Sequence, residues 1–552
     1  MNRLSTDPIG LPATNGTVGW WRPAETATSA AALSLKEALR QVRHPLYLVQ
    51  QDDGLVPRVD GAVLLGGKSD GGAPVAGYAP PCPIEQLGDP SFCRDLGLAL
   101  PYVGGSMAKG IASAAIAEEL GRAGMLGFFG AAGLPLEQVE ATVDRLAASL
   151  GDLPYGFNLI HSPHDPELEK ALVEMYIRKG VRLIEASAFL DLTLPLVRFR
   201  VHGISRRPDG TICTPNRIIA KVSREELGAK FLAPPPQALL HELVQTGIIT
   251  AEQAQMAGEI PMAQDVTAEA DSGGHTDNRP AMALFPTILS LAQRMEEKHR
   301  YRQKLRVGLG GGISTPASAA AAFAMGAAYL MTGSVNQACV ESGTSDTVRQ
   351  MLAETRQADV TMAPAADMFE MGVTVQVLKR GTMFPMRAAK LYEIYRSYRG
   401  IDDIPAAERE KLEKTLFQAS LDKVWDDTRA FFLKRDPSQA ERGDRDPKHR
   451  MALVFRWYLG QAAHWAKDGV PGRRIDYQVW CGPAMGAFNE WVAGSFMEPA
   501  AGRHVVPVAL NILHGAATIT RANILRCQGV PVDPEALKLE PLELARIKEY
   551  LG

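Results

Sequence analysis

Residues 269–275 read Glu-Ala-Asp-Ser-Gly-Gly-His. Two adjacent glycines, lacking Cβ atoms, let a backbone lie against a flat or anionic ligand. His275 beside them can take up or release a proton near neutral pH. An ordinary solvated loop histidine is the alternative for this segment taken alone. Two further glycine-rich turns follow, Gly308-Leu309-Gly310-Gly311-Gly312-Ile313-Ser314 and Thr332-Gly333-Ser334-Val335. Each reads as a strand-to-helix turn whose free N–H groups and following helix would hold a phosphate. Two tight turns that merely need positive φ are the alternative. Earlier, Gly104-Gly105-Ser106-Met107 would let a planar ring approach, and Asn158 offers a donor and an acceptor to the edge of such a ring. Lys221 closes an apolar run, where it either lays its stem along apolar surface or stabilises negative charge on a reduced ring. His161 and His164 follow another apolar run, a setting in which loop histidines are ordinarily solvated.

Other chemistries lack their residues. There is no Walker A loop, no GxSxG elbow and no HExxH. Gly308 to Ile313 lacks the last glycine of a dinucleotide fingerprint, and no paired-carboxylate hydrolytic site is visible. The six cysteines, Cys82, Cys93, Cys213, Cys339, Cys481 and Cys527, show no CxxC or other ligand spacing. That argues against a zinc site or a disulfide scaffold and fits a reducing cytoplasm. A flat, redox-active, phosphate-bearing cofactor suits the set, and FMN is such a group.

The elements that must position these residues follow a regular rhythm. Apolar runs at residues 98–103, 125–129, 155–159, 183–186, 217–222, 265–270, 305–309 and 328–332 alternate with helical stretches such as 108–123 and 136–150. Strands alternating with helices imply an α/β protein with a parallel sheet. Eight units in this span fit a closed (β/α)8 TIM barrel, whose active site lies at the C-terminal ends of its strands. A doubly wound open sheet is the structural alternative. Residues 224–263, with Pro234-Pro235-Pro236 and helical patterns at 237–245 and 250–257, read as a helical insertion at the active-site face. It would shape substrate access or elaborate the packing.

Residues 1–90 read as a small N-terminal α+β unit, with a helix near 30–42 and strands at 46–49, 61–65 and 74–78. The barrel then spans 91–370. From 371 to 552 the strand pattern stops, and 387–398, 406–433, 448–467 and 505–527 predict a C-terminal helical domain with its own Trp-rich core. The charged stretch 434–448 reads as a solvated loop.

A chain of 552 residues, 46% hydrophobic, calls for two or three domains of an ordinary globular kind. Its net charge of −3 gives no reason to expect nucleic acid or an anionic membrane as partner. The start, Met1-Asn2-Arg3-Leu4-Ser5, leads into Pro and Gly, so no signal peptide is expected. The Ala-rich stretch 316–329 is too short to span a bilayer.

Asp271-Ser272-Gly273-Gly274-His275, Gly310-Gly311-Gly312-Ile313 and Thr332-Gly333-Ser334 resemble motifs of the nitronate monooxygenase superfamily of FMN barrels, which includes flavin-dependent enoyl-acyl-carrier-protein reductases. Longer stretches resemble the PfaD family, trans-acting enoyl reductases of polyunsaturated fatty acid and polyketide synthases. These are Tyr102-Val103-Gly104-Gly105-Ser106-Met107-Ala108-Lys109-Gly110, residues 268–280, and Trp480-Cys481-Gly482-Pro483-Ala484-Met485-Gly486. The resemblance implies that Gly104, Gly105 and Met107 lie along an FMN and that Asn158 and Lys221 contact its polar ring atoms. It implies that Gly273 and Gly274 pass near the cofactor with His275 on the substrate side, and that Gly311, Gly312, Gly333 and Ser334 bind the phosphate. Asp271 stands where compact members often carry Glu, a longer side chain.

The implied activity is reduction of the α,β double bond of carrier-bound acyl thioesters by NADPH or NADH through FMN, with His275 donating a proton or polarising the carbonyl. Acyl carrier protein domains would be partners, and pairing of two barrels is common. A basic rim at the site mouth is expected for an acidic carrier, with Arg206-Arg207 or Arg473-Arg474 as candidates. The rival activity is a nitronate monooxygenase acting on small nitroalkanes.

Overall fold

The computed structural model describes residues 18–23, 33–52, 54–65, 71–162 and 165–551. His164 and residues 30–32 of the expected first helix lie outside them. The chain forms two compact units, Met1–Gln86 with Leu510–Gly552, and Leu87–Ala509. Three domains were expected; instead the barrel and the helical region up to Ala509 make one unit, and the final segment belongs with the N-terminal one.

In the first unit, five antiparallel strands run in the order Gly54–Arg58, Leu46–Gln51, Ala73–Ala79, Gly19–Arg22, Ala62–Leu64. Leu39, Leu46 and Leu48 pack with Ala522, Leu525 and Val530. The Arg521 guanidinium donates to the carbonyls of Ala38, Leu39, Gln41 and His44, satisfying the end of helix Leu35–Arg40. Among the described residues one helix, Val505–Cys527, is long and apolar enough to cross a membrane by length and composition, and 78% of its apolar window is buried.

The second unit holds the barrel. Its strands are β1 (Tyr102–Gly104), β2 (Leu126–Phe129), β3 (Gly156–Ile160), β4 (Leu183–Ser187), β5 (Arg217–Val222), β6 (Asp265–Glu269), β7 (Arg306–Gly310) and β8 (Leu330–Thr332). All pair in parallel and close in chain order, with β8 beside β1. Side chains alternate between faces. Ile219 of β5 therefore joins Val103, Phe128 and Met331 inside the barrel, two residues before Lys221. Helix Pro90–Leu96, capped by Asp89 with Pro90 in its first turn, plugs the N-terminal end. Its Phe92 stacks on Tyr329 at 4.1 Å between centroids. Beside it, the buried Arg306 guanidinium grips Asp265 through two hydrogen bonds of 2.6 and 3.0 Å and Asp95 through one of 2.7 Å.

Three expectations change. The insertion helices Gln237–Gln245 and Ala251–Ala257 follow helix Glu225–Leu232 and lead into the start of β6, with Met262 N–H donating to Ala233 and Ala263 N–H to Phe231. They stand at the N-terminal side of the strands; of the expected insertion 224–263, only its first part, residues 224–227 and Lys230, lines the cavity described below. Strands also continue past residue 370: Thr374–Leu378 pairs antiparallel with Val360–Pro364 and with Gly274–His275. The expected loop at 434–448 contains helix Pro437–Arg445, started by the Asp436 cap and buried through Ala440 and Gly443. Phe369, between the two hairpin strands, joins Phe417, Trp425, Phe455 and Tyr458 in the helical region's core.

Candidate active site

A cavity of about 1540 Å³ opens at the C-terminal ends of the strands. Each strand end contributes: Gly105, Ala131, Asn158, Ser187, Lys221, Glu269, Gly310 and Thr332. The hairpin and helical region supply the remaining wall through Asp367, Val375, Arg456, Gly460 and Trp480.

At the floor, Lys221 Nζ lies 3.2 Å from Glu269 Oε1 and 3.6 Å from Glu185 Oε1. Burial pushes this ammonium toward neutrality, but the two carboxylates outweigh it and hold its pKa above the ordinary value. Glu185 is fully buried, and burial raises its pKa despite Lys221 and the Ser106 N–H, which donates to Oε2 at 2.7 Å. Glu185 Oε1 has no hydrogen-bond partner, since 3.6 Å from Lys221 exceeds hydrogen-bond reach. Asn158 Nδ2 donates to Ser187 Oγ at 2.8 Å, which fixes the amide at the cavity edge.

His275 sits on the short strand beyond β6, and its Nε2 lies 2.9 Å from Asp367 Oδ2. Burial lowers the imidazole's proton affinity, but Asp367, with Glu269 further off, more than offsets this and raises its pKa above the ordinary value. The Asp367 carboxyl is lowered in turn: burial raises it, and the bond from His275 outweighs that. The pair's stabilising charge is therefore fully present below the unfolded histidine's pKa and is lost as pH rises through the elevated folded value. Asp367→Asn is expected to move the His275 titration to lower pH, read from its imidazole NMR shifts; an unmoved midpoint would remove Asp367 from this role.

The loop between β6 and His275 is tied down from several sides. Asp271 Oδ1 accepts from Asn278 Nδ2 and Gln376 Nε2, both at 2.8 Å. Arg224 makes a two-pronged bond to Asp277, which with Ser223 holds that carboxyl down at about 2. Gly273 is required by close approach, because a Cβ there would stand 2.7 Å from the backbone nitrogen of Cys481. Cys481 belongs to a segment that crosses the sheet edge: Leu378 N–H donates to Val479 O, and Gly482 N–H to Ser334 Oγ. Gly311, at φ +80°, would bring a Cβ within 2.6 Å of the Ala270 carbonyl carbon.

Most expected site residues line this one cavity: Gly105, Met107, Asn158, Lys221, Asp271, Gly273, Gly274, His275, Gly311, Gly312, Gly333 and Ser334. Gly104 does not. Strand alternation turns it outward, where a Cβ would meet Leu120 and Asn336. Asp271 reaches the cavity wall, but its Oδ1 organises the loop. Neither candidate arginine pair lines the cavity: Arg206 pairs with Glu259, and Arg473 is buried against Asp476 and the Leu416 and Phe417 carbonyls. Arg224, Arg279, Arg435 and Arg456 line it instead. Glu185 and Asp367 escaped the sequence reading. A carboxylate inside the apolar run Leu183-Ile184-Glu185-Ala186 is a usable signal, whereas Asp367 carries none.

Residues 398–477 match the family model described as acyl-carrier-protein S-malonyltransferase, inserted helical domain. One of the polyunsaturated fatty acid synthase proteins of Thraustochytrium sp. (strain ATCC 26185 / S-3) is 47% identical over 499 residues, covering 89% of this chain and 33% of that protein. Polyketide biosynthesis protein PksE of Bacillus subtilis (strain 168) is 42% identical over 436 residues, covering 79% of this chain and 56% of that protein. The chain thus spans a third to about half the length of these curated relatives. The crystal structure of the enoyl reductase domain of MlnA, from the macrolactin biosynthesis cluster of Bacillus amyloliquefaciens, superposes with a TM-score of 0.77 at 40% identity. That match covers 80% of this chain and 99% of the domain. The chain belongs to the family of that enoyl reductase domain.

Proposed function

We propose that the protein is an FMN-dependent oxidoreductase of the PfaD type, a trans-acting enoyl reductase. It reduces α,β-unsaturated acyl thioesters on carrier protein domains of polyketide or polyunsaturated fatty acid synthases, with NADPH or NADH as reductant. The observation that carries the reading is the convergence of the glycine turns after β7 and β8, the Lys221–Glu269 pair and the His275–Asp367 pair on one cavity.

The residues fit FMN. Gly312, at φ +76°, and Gly333 have open space where a Cβ would stand, leaving backbone N–H groups accessible to a phosphate. Glu185, buried behind the cavity lining, accepts from the Ser106 N–H and helps to keep Lys221 protonated. Bound there, the flavin would supply hydride transfer from the nicotinamide to the β-carbon of the enoyl thioester. Lys221 would offer positive charge beside the polar edge of the ring. His275, kept protonated to higher pH by Asp367, would deliver a proton to the α-carbon or polarise the thioester carbonyl. Carrier docking, and pairing with a second copy, rest on the family resemblance.

The test is anaerobic. The purified yellow protein should be bleached by NADPH and recover its colour when a crotonyl thioester on a carrier protein is added. Recovery with a nitroalkane instead would favour the monooxygenase activity, and a colourless protein that binds no FMN would overturn the reading.

A further inference from the structure

One cation of the cavity wall has no part in the chemistry above. Lys109 lies in the connection after β1 at φ +60°, a left-handed conformation that residues with a Cβ seldom adopt and that concentrates at functional sites. Two bonds hold it there. Its backbone N–H donates to Ala132 O in the loop after β2 at 2.7 Å, and its Nζ donates to Gly460 O of helix Pro447–Asp468 at 3.0 Å. Among the cations that line the cavity, Lys221, Lys230, Arg224, Arg435 and Arg456 each face a carboxylate, and Arg279 is exposed to water. Lys109 is partly buried, and among the described residues it forms no ion pair.

An ammonium has three N–H donors. One is used here, and withdrawing the others from water without a partner is costly. Burial, reinforced by Lys467 and only partly countered by Asp468, brings the Lys109 pKa down to about 8, and His464 is the other titratable group near it on the same helix. An anion arriving beside Nζ would relieve that cost.

The location says which ligand could bring the anion. The glycine turns after β7 and β8 are already assigned to the cofactor phosphate, whereas Lys109 is bonded to the β2 loop and the helical wall. The cavity, at about 1540 Å³, exceeds the roughly 300–1,000 Å³ of a typical single-ligand pocket. It therefore has room for a second ligand beside the cofactor. On the reaction proposed above, which this inference rests on, each second ligand carries phosphate: the nicotinamide dinucleotide in one half-reaction and the phosphopantetheine arm in the other. We propose that Lys109 binds a phosphate group of the ligand that enters beside the cofactor.

The experiment compares wild type, Lys109→Met and Lys109→Arg, each loaded with FMN, on paired ligands that differ in phosphate. The pairs are crotonyl-phosphopantetheine against crotonyl-pantetheine, and NADPH against reduced nicotinamide riboside. Lys109→Met should raise KM for a phosphate-bearing member about 10- to 100-fold relative to its phosphate-free counterpart, the range lost with a hydrogen bond to a charged group. Lys109→Arg, which keeps the charge, should recover most of it. The wild-type preference should weaken as pH rises through about 8, and that of Lys109→Arg should not. A selective effect in the nucleotide pair or in the pantetheine pair tells which ligand supplies the phosphate. Equal losses within both pairs, or none in either, would overturn the assignment. If neither crotonyl thioester restores the flavin colour in wild type, the proposed reaction fails, while the nucleotide pair still tests Lys109 directly.

Discussion

His275→Ala is expected to retain FMN and to slow reoxidation of the reduced protein by a crotonyl thioester about 100- to 10,000-fold, the range that a positioned general acid supplies. The expectation rests on position and protonation together. His275 is held on a two-residue strand by pairing with Val375 and sits 2.9 Å from Asp367. Its side chain is 31% exposed, so a ligand in the cavity can reach the ring. Because the pair raises the imidazole's pKa, the rate should be sustained to higher pH than an isolated histidine would allow and should fall above that. Reduction by NADPH needs no proton at an acyl carbon, so it should fall much less. Stopped-flow absorbance separates the two steps. Wild-type reoxidation rates in the variant would take His275 out of the reaction.

Asp265→Ala is expected to cost the barrel about 3–5 kcal/mol, the usual penalty for stripping one partner from a buried ion pair. The Arg306 side chain is 1% exposed and that of Asp265 3%, so water cannot replace the lost carboxylate. The remaining partners, Asp95 at 2.7 Å and Ser91 at 3.1 Å, reach only Nη1 and leave the opposite edge of the guanidinium unsatisfied. The double variant Asp265→Ala/Arg306→Met should recover part of the loss, because it removes the stranded cation together with its partner. Urea denaturation followed by far-UV circular dichroism measures both. A single-variant loss below about 1 kcal/mol would mean that the pair is as weakly stabilising as a surface salt bridge.

The barrel was legible because its strands are short apolar runs separated by turn residues. Residues 217–222 were read with the same bounds the structure has, six other strands differ only at their ends, and the first, read at 98–103, shares only residues 102–103 with Tyr102–Gly104. The glycine turns and His275 were legible for the same reason, as breaks at strand ends. Other features depend on tertiary pairing. Thr374–Leu378 alternates in residue type through Val375, Gln376 and Val377, though all but Thr374 are buried, and the surrounding helical patterns masked it. The insertion was read as lying wholly at the site, whereas only residues 224–227 and Lys230 reach the cavity, because sequence distance from β6 says nothing about which end of the barrel a connection occupies. Asp367 becomes meaningful only once the hairpin folds back beside residues 274–275, and nothing in Ala365-Ala366-Asp367-Met368 announces it. Gly104 misled because a glycine pair offers two faces, of which strand alternation grants the cavity one.

The tight seam between Gly273 and Cys481, with Gly482 anchored on Ser334, bears on how the protein matures. Those residues lie far apart along the chain, and the segment that includes Trp480 walls the cavity after every barrel strand has been made. During synthesis the barrel can emerge and close while this wall is still inside the ribosome. The complete wall of the cavity must therefore await the strap that carries Cys481.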